Sequence, residues 1–198
     1  MFEERLKEFS RERLGGRPLP DDLRTMLVAQ WEGRTGFRDL LGVTFPEPGE
    51  ADLLLDTDYL TEAERADPEM QAVHAGMAEM GKYARLVAKN EDCWIGYWLH
   101  PDEPADRPAP LIQLDTEASF WLLQGRTLAE ALVAVCSHYR DESDARLAFS
   151  ALAADLAGLG LPLGADSYDA LHEPEPVVQP EDLMEELIDA ERVRRGLA

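Results

Sequence analysis

Side chains of types that bind metal ions stand close together in one short segment: His100, Asp102, Glu103 and Asp106. Carboxylate oxygens are the ligands that Ca²⁺ and Mg²⁺ prefer. The segment, HPDEPADRPAP, lacks the regular ligand spacing and the glycine of a calcium-binding loop, and it is rich in proline. Since proline cannot donate to a β-ladder, the sequence predicts a stiff, solvated acidic loop between two strands and not a metal site.

Asp56 and Asp58 form a second acidic motif, DTD. It is similar to the short acidic pair with which metal-dependent sugar transferases hold their metal. Aspartate side chains also accept hydrogen bonds from nearby backbone N–H groups in turns and helix caps. We favour a turn or cap here, and a hydrolase or transferase that uses Asp56, Asp58 and a divalent metal is the third functional hypothesis.

Other catalytic patterns are missing from the sequence. No serine is flanked by the glycines of a nucleophile elbow. Ser137 and His138 are neighbours on a predicted helix, so their side chains point about 100° apart. The segment GLGLPLG (158–164) follows no strand and precedes no lysine, which favours a helix stop over a phosphate-binding loop. We therefore predict a non-enzymatic protein with no catalytic residue, no metal and no cofactor.

Cys93 and Cys136 lie within apolar patterns and have no paired spacing, which predicts two buried thiols and no disulfide.

No stretch approaches the roughly 18 apolar residues of a membrane helix. The first residues, MFEERLKEFSRERL, are charged and amphipathic and lack the apolar core of a secretory signal. The expected location is cytoplasmic, without membrane contact.

Acidic residues outnumber basic ones by 40 to 19 in this 198-residue chain, a net charge of −21. Such a charge repels phosphate backbones, so we do not expect a nucleic-acid partner. It attracts basic proteins and speeds their encounter. Acidity that only keeps the protein soluble is the alternative, and composition does not decide between the two.

Apolar periodicity and capping residues predict most of the helices. An amphipathic helix opens the chain, and later ones are expected at 20–31, after the capping boxes Thr61–Glu64 and Thr127–Glu130, after Asp67–Pro68, at 143–157 and at 180–195. The stripe Met70, Val73, Met77 and Met80 favours core packing over an adaptable binding groove. For residues 41–45 we predict a short strand or loop, followed by irregular chain.

Four strand-like runs lie between the helices. Residues 83–89 and 93–99 flank a turn at 90–92 and predict a hairpin, and LIQLD and SFWLLQ follow. The segregated order predicts an α+β fold, with a mostly antiparallel sheet covered by helices and a helical C-terminal extension. We expect a domain at 1–140 and an acidic extension at 141–198, which has 14 acidic and 4 basic residues and packs on the domain.

The segment CWIGYWL (93–99) is apolar on both faces, since alternate side chains point to opposite sides of a strand. This pattern predicts a central strand covered on both sides. Gly96 leaves a notch between Trp94 and Trp98, where a helix or a ring could approach closely. Trp98 is nearest the acidic loop and is the one aromatic residue of the strand that we expect at an interface.

Four segments in this order resemble the SUKH superfamily, which includes fungal cell-wall-assembly regulators and bacterial immunity proteins. They are PLPDDLRTMLVAQWEG (18–33), YARLVAKNEDCWIGYWL (83–99), APLIQLDTE (109–117) and FWLLQGRTLAEAL (120–132). The resemblance spans residues 18–140 and depends on order and spacing. Glu91 and Asp92 stand where the family often has glycines, and 141–198 has no counterpart.

The resemblance implies a binding module without catalytic residues. In bacteria such proteins are immunity proteins that bind and block a toxin domain, often a basic nuclease, and an acidic surface suits that role. The alternative is a regulatory or scaffold protein of the same fold that binds a cellular partner. The predicted partner contacts are Trp98, Asp102, Glu103 and Asp106, with Glu91 and Asp92 as weaker candidates.

Overall fold

One antiparallel sheet of four strands, in the order β1-β2-β3-β4, organises the chain. The strands are β1 (Ala84–Lys89), β2 (Cys93–Trp98), β3 (Leu111–Asp115) and β4 (Phe120–Leu123). The first two form the predicted hairpin, and the next two match the predicted runs LIQLD and SFWLLQ. The sheet therefore places the acidic loop between two adjacent strands, β2 and β3.

The computed structural model describes residues 2–47, 49–51, 54–58, 60–138 and 142–197. Within them lie eight α-helices and one 3₁₀ turn (Tyr168–Ala170). The helices are α1 (Glu3–Arg13), α2 (Asp21–Trp31), α3 (Gly36–Leu41), α4 (Glu62–Ala66), α5 (Pro68–Met80), α6 (Leu128–His138), α7 (Glu142–Gly158) and α8 (Pro180–Arg195). The predicted α+β class, with an antiparallel sheet and a helical C-terminal segment, is confirmed.

Helices cover both faces of the sheet, as the two-sided apolar pattern of β2 predicts. Cys93, Ile95 and Tyr97 belong to the core on the first face, with side chains of α1, α2, α3, α6 and α7. Trp94 and Trp98 belong to the core on the second face, with side chains of α5 and α8. Burial on both faces explains why this strand shows no alternation of apolar and polar residues.

Gly96 allows close approach, as predicted, but the neighbour is a strand backbone and not a helix or a ring. A Cβ at this position would lie 2.0 Å from the Arg85 carbonyl oxygen and 2.7 Å from the Leu86 Cα. The register of β1 against β2 shifts between Leu86 and Ala88, which indicates a β-bulge. Glycine next to a bulge leaves room for the displaced backbone.

The second face is closed by tight contact between α5 and α8. A Cβ on Gly76 of α5 would lie 2.9 Å from the Ile188 Cα of α8, so the helices approach to backbone distance. The Arg192 guanidinium of α8 donates to the Glu69 carboxylate of α5. Met77 and Met80 are buried in this core, so core packing of the methionine stripe is confirmed for its last two members.

The described part of the segment 141–198 contacts both faces of the sheet. Phe149 and Leu156 of α7 belong to the core of the first face, and α8 packs on the second. The buried Glu130 carboxylate of α6 accepts hydrogen bonds from the backbone N–H groups of Gly164 and Ala165, at 3.1 and 2.9 Å. Helix α6 is thereby joined directly to the chain that follows α7.

Glu130 also changes the second predicted capping box. The Thr127 hydroxyl accepts from the Glu130 N–H as expected, at 3.2 Å. The Glu130 carboxylate, however, accepts from the Arg126 N–H and not from that of Thr127. The first box, Thr61–Glu64, is confirmed in both halves. The second differs because the Glu130 carboxylate is shared with the distant 164–165 backbone.

The segment 36–45 follows the sequence prediction only in part. Helix α3 was not predicted; of the strand or loop expected at 41–45, residues 42–45 form a loop in which Thr44 pairs with Lys89 as an isolated bridge. Helix α3 has six residues and begins at a glycine, so its stability comes from burial of Phe37 and Leu41 rather than from helix propensity.

We expect Gly96→Ala to destabilise the fold by about 2 kcal/mol or more, because the added methyl group overlaps the Arg85 backbone and the sheet must shift. Gly158→Ala is the matched control: it adds the same methyl group at the end of helix α7, where no atom beyond the adjacent backbone of that helix lies within 4 Å. Helix propensity predicts that the control stabilises by up to about 1 kcal/mol. Urea unfolding of both variants measures the difference, and equal midpoints would refute the close approach.

Candidate functional site

The acidic loop, residues 99–110, is fixed at both ends and exposed in its middle. The Trp98 N–H donates to the Pro110 carbonyl and the Leu99 N–H donates to the Tyr83 carbonyl, both at 2.8 Å. Asp102 and Asp106 are exposed. This matches the predicted solvated loop between two strands.

His100 belongs to the packed base of the acidic loop. Its ring lies 4.9 Å from the Tyr83 ring and 5.8 Å from the Trp98 ring, measured between centroids. Its Nδ1 accepts from the Asp102 N–H at 3.3 Å, and the Asp102 carboxylate is 3.8 Å away. The imidazole therefore shapes the turn at the start of the loop.

A second segment, which we call the strap (residues 171–179), lies beside the acidic loop. The Trp98 indole N–H donates to the Val178 carbonyl at 2.9 Å. The Glu103 carboxylate accepts from the N–H groups of Val177 and Val178, at 2.8 and 3.3 Å. These bonds connect the acidic loop and the central strand to the chain that leads into α8.

The expectation that Trp98 is exposed at an interface is wrong. Its side chain is 0% exposed and packs in the core of the second face. Buried indole N–H groups usually find an acceptor, and here the acceptor lies 80 residues away in the strap. The sequence shows that Trp98 adjoins the acidic loop, but it does not show that a distant segment covers it.

The other predicted contact residues fall into two separate places. Asp102, Glu103 and Asp106 lie on the acidic loop, and Glu103 is half-buried and bonded to the strap. Glu91 and Asp92 are exposed at the opposite end of β2, in the hairpin turn. The structure therefore brings the three loop residues together and leaves the turn residues apart from them.

The acidic loop and the strap enclose a groove of about 710 Å³. Its acidic lining residues come from both segments: Glu103 and Asp106 from the loop, and Glu173 and Glu175 from the strap. Arg107 and Arg126 also line it. The sequence predicts the strap only as part of the acidic extension 141–198, and its part in a site was not predicted. The available signal was the HEPEP motif, which repeats the proline-rich acidic character of the loop.

Most lysine and arginine side chains in the described ranges already pair with a carboxylate. Examples are Lys7 with Glu4 at 2.7 Å and Arg146 with Asp169 at 2.8 Å. Asp106 and Glu175 take part in none of the ion pairs found in the described part of the chain. The four carboxylates that line the groove outnumber its two arginines, so its lining keeps a net negative charge.

The candidate catalytic motifs have structural roles in the described residues. The Asp56 carboxylate accepts from the Asp58 N–H at 2.8 Å, which confirms the predicted turn. The buried Ser137 hydroxyl donates to the Val133 carbonyl one helical turn earlier, at 2.7 Å. In the part of the chain that the structure describes, no three His, Cys, Asp or Glu residues are grouped so as to hold a metal ion.

The two cysteines are free, as predicted. Cys93 is buried, burial raises the pKa of its thiol, and the thiol donates to the Asn90 Oδ1 at 3.1 Å. Cys136 is half-buried, so its expected full burial is not met. A thiol held in the neutral form is a weak nucleophile, and Cys93 therefore packs as an apolar side chain.

No protein-family model matches the chain, and neither does any curated protein or solved structure. None of the helices in the described ranges is both long enough and apolar enough to cross a bilayer.

We expect Glu103→Ala to loosen the strap, because the N–H groups of Val177 and Val178 lose their acceptor. A hydrogen bond to a charged group contributes about 1.5–3 kcal/mol, so amide exchange at these two positions should speed up by roughly tenfold or more. Hydrogen–deuterium exchange read by mass spectrometry or NMR measures the change. The control, Asp106→Ala, removes an exposed carboxylate of the same loop and should leave both amides protected; equal exchange in the two variants would contradict the anchoring role.

Proposed function

We propose that this protein is a non-enzymatic binding domain whose partner is a basic protein. The partner docks on the acidic face, which we define as Asp102 and Asp106 of the loop with Glu173 and Glu175 of the strap. One observation carries the proposal: Asp106 of the loop and Glu173 and Glu175 of the strap, from two segments distant in sequence, line the same groove, and Asp102 is exposed on the same loop. The resemblance to the SUKH superfamily makes an immunity protein that neutralises a cognate toxin domain the leading form of this function.

Electrostatic steering is the first step of such binding. Charges at the rim of an interface mainly raise the association rate, and they act over about 10 Å at 0.1 M salt. Asp102, Asp106 and Glu175 are exposed, so an approaching cationic surface meets their charge before contact. A toxin that binds nucleic acid must present cations to phosphates, and the same cations suit these carboxylates.

Shape and stiffness supply the second step. The loop has prolines at 101, 104, 108 and 110, and the strap has prolines at 174 and 176. Proline fixes one backbone dihedral, so ordering these segments on binding loses little conformational entropy. Val177 is 61% exposed beside the acidic face and offers an apolar contact. Occlusion of the toxin's active surface then needs no catalytic residue in this chain.

Protection of cells tests the immunity form of the proposal. Expression of a toxin domain encoded beside this gene should kill host cells, and co-expression of this protein in the cytoplasm should restore growth. Purification of the complex then identifies the bound domain. Recovery of an endogenous regulatory protein instead, without protection, would favour the scaffold alternative; absence of any basic partner would refute the proposal.

Removing charge from the acidic face should slow association with the captured partner. We expect the triple variant Asp102→Asn, Asp106→Asn, Glu175→Gln to lower the association rate by roughly tenfold at low salt, and this difference should shrink as ionic strength rises. Surface plasmon resonance over a salt series measures both effects.

The control carries the same loss of three charges elsewhere: Glu62→Gln, Asp155→Asn and Glu185→Gln, all exposed residues outside the groove. It should change the rate far less than the acidic-face variant. If the two triple variants slow association equally, net charge and not the acidic face governs binding.

A further inference from the structure

A second, smaller cavity of about 230 Å³ lies next to the groove. It is bounded by the linker between α1 and α2, by the end of β2 and by the start of α6. Much of its wall is apolar, including Leu14, Leu99 and several prolines. The volume suits a compact group, such as a branched alkyl chain or one aromatic ring.

Two arginines line this cavity, Arg17 and Arg126. Both are exposed, and in the described residues neither guanidinium takes part in an ion pair, unlike most of the other arginine and lysine side chains there; the backbone N–H of Arg126 donates to the Glu130 carboxylate at 2.7 Å. The remaining charged lining residue is Asp22, whose carboxylate accepts from the Ala129 N–H at 3.0 Å. Two arginines and one aspartate leave the lining with one positive charge in a protein of net charge −21. A site of this sign favours an anion.

Tyr97 supplies a polar group in the same wall. Its side chain is 7% exposed, and its hydroxyl has no hydrogen-bond partner among the described residues. Burial, and then the charge of nearby Asp22, raises the pKa of Tyr97 well above its usual value, so the hydroxyl stays protonated and can donate. A buried hydroxyl without a partner is unfavourable, and an acceptor oxygen in the cavity would satisfy it.

We propose that this cavity binds a carboxylate carried on a small apolar group. Arg17 and Arg126 pair with the carboxylate oxygens, Tyr97 donates to one of them, and Leu14, Leu99 and Pro108 pack against the apolar part. The ligand has the opposite charge to the partner of the acidic face, so this site lies beyond the proposed function. The same chemistry is found in a free carboxylic acid and in the C-terminus of a peptide that ends in an apolar residue.

Calorimetric titration of the full chain with benzoate tests the proposal, with benzamide as the uncharged ligand of the same shape. A fragment of this size should bind with a Kd of about 1 mM, and benzamide at least tenfold more weakly. Arg17→Gln and Arg126→Gln replace exposed residues and should each weaken benzoate binding by roughly tenfold. Tyr97→Phe should weaken it severalfold.

Arg65→Gln is the matched control, since Arg65 is exposed and lines none of the described cavities; it should leave benzoate affinity unchanged.

A peptide that ends in phenylalanine, with a free or an amidated C-terminus, distinguishes the two possible sources of the carboxylate. Stronger binding of the free peptide than of benzoate favours a peptide C-terminus, and stronger binding of benzoate favours a free acid. Three results would overturn the proposal: no binding of benzoate or of the free peptide at about 10 mM, binding of benzamide as strong as that of benzoate, or a benzoate affinity that neither arginine variant changes.

Discussion

The burial of Trp98 is the constraint on which the arrangement around the groove depends. Its ring fills the core between the central strand and the helices α5 and α8, and its indole N–H bonds to Val178 of the strap. Truncation of a buried tryptophan typically costs about 3–5 kcal/mol. One side chain thus holds the second face of the sheet closed and fixes the strap beside the acidic loop. Glu103 adds two hydrogen bonds to the same strap, so the groove is built from contacts that also close the core.

Local patterns in the sequence predict much of the fold because short-range physics determines them. The hairpin of β1 and β2, the cap at Thr61 and the α6 apolar stripe all depend on residues that are close together in the sequence. The errors have a different origin. Trp98 is covered by a segment 80 residues later, and Glu130 accepts from backbone 34 and 35 residues later. Helix α3 is too short for its periodicity to be visible.

The candidate site shows the same division. The sequence predicts that the loop between β2 and β3 is acidic, stiff and solvated, because proline and carboxylate side chains impose these properties wherever they are exposed. It does not predict that Glu173 and Glu175 line the same groove, since their position depends on how α7 and α8 pack on opposite faces of the sheet. The groove and the smaller cavity beside it also differ in net charge, although they share Arg126, Pro108 and Ala109. The amino-acid composition of the whole chain does not show this difference.

The way the acidic loop is attached has a consequence for how this surface can diverge. Its ends, Leu99 and Pro110, are fixed by backbone hydrogen bonds to Tyr83 and Trp98, and Glu103 is its one acidic residue that bonds to the strap. Positions 101, 102 and 105–107 are exposed. Substitutions there can alter charge and shape while the sheet and the strap keep their packing. Selection on recognition can therefore act on these five positions with little cost in folding, so related chains could share this scaffold and still discriminate between partners.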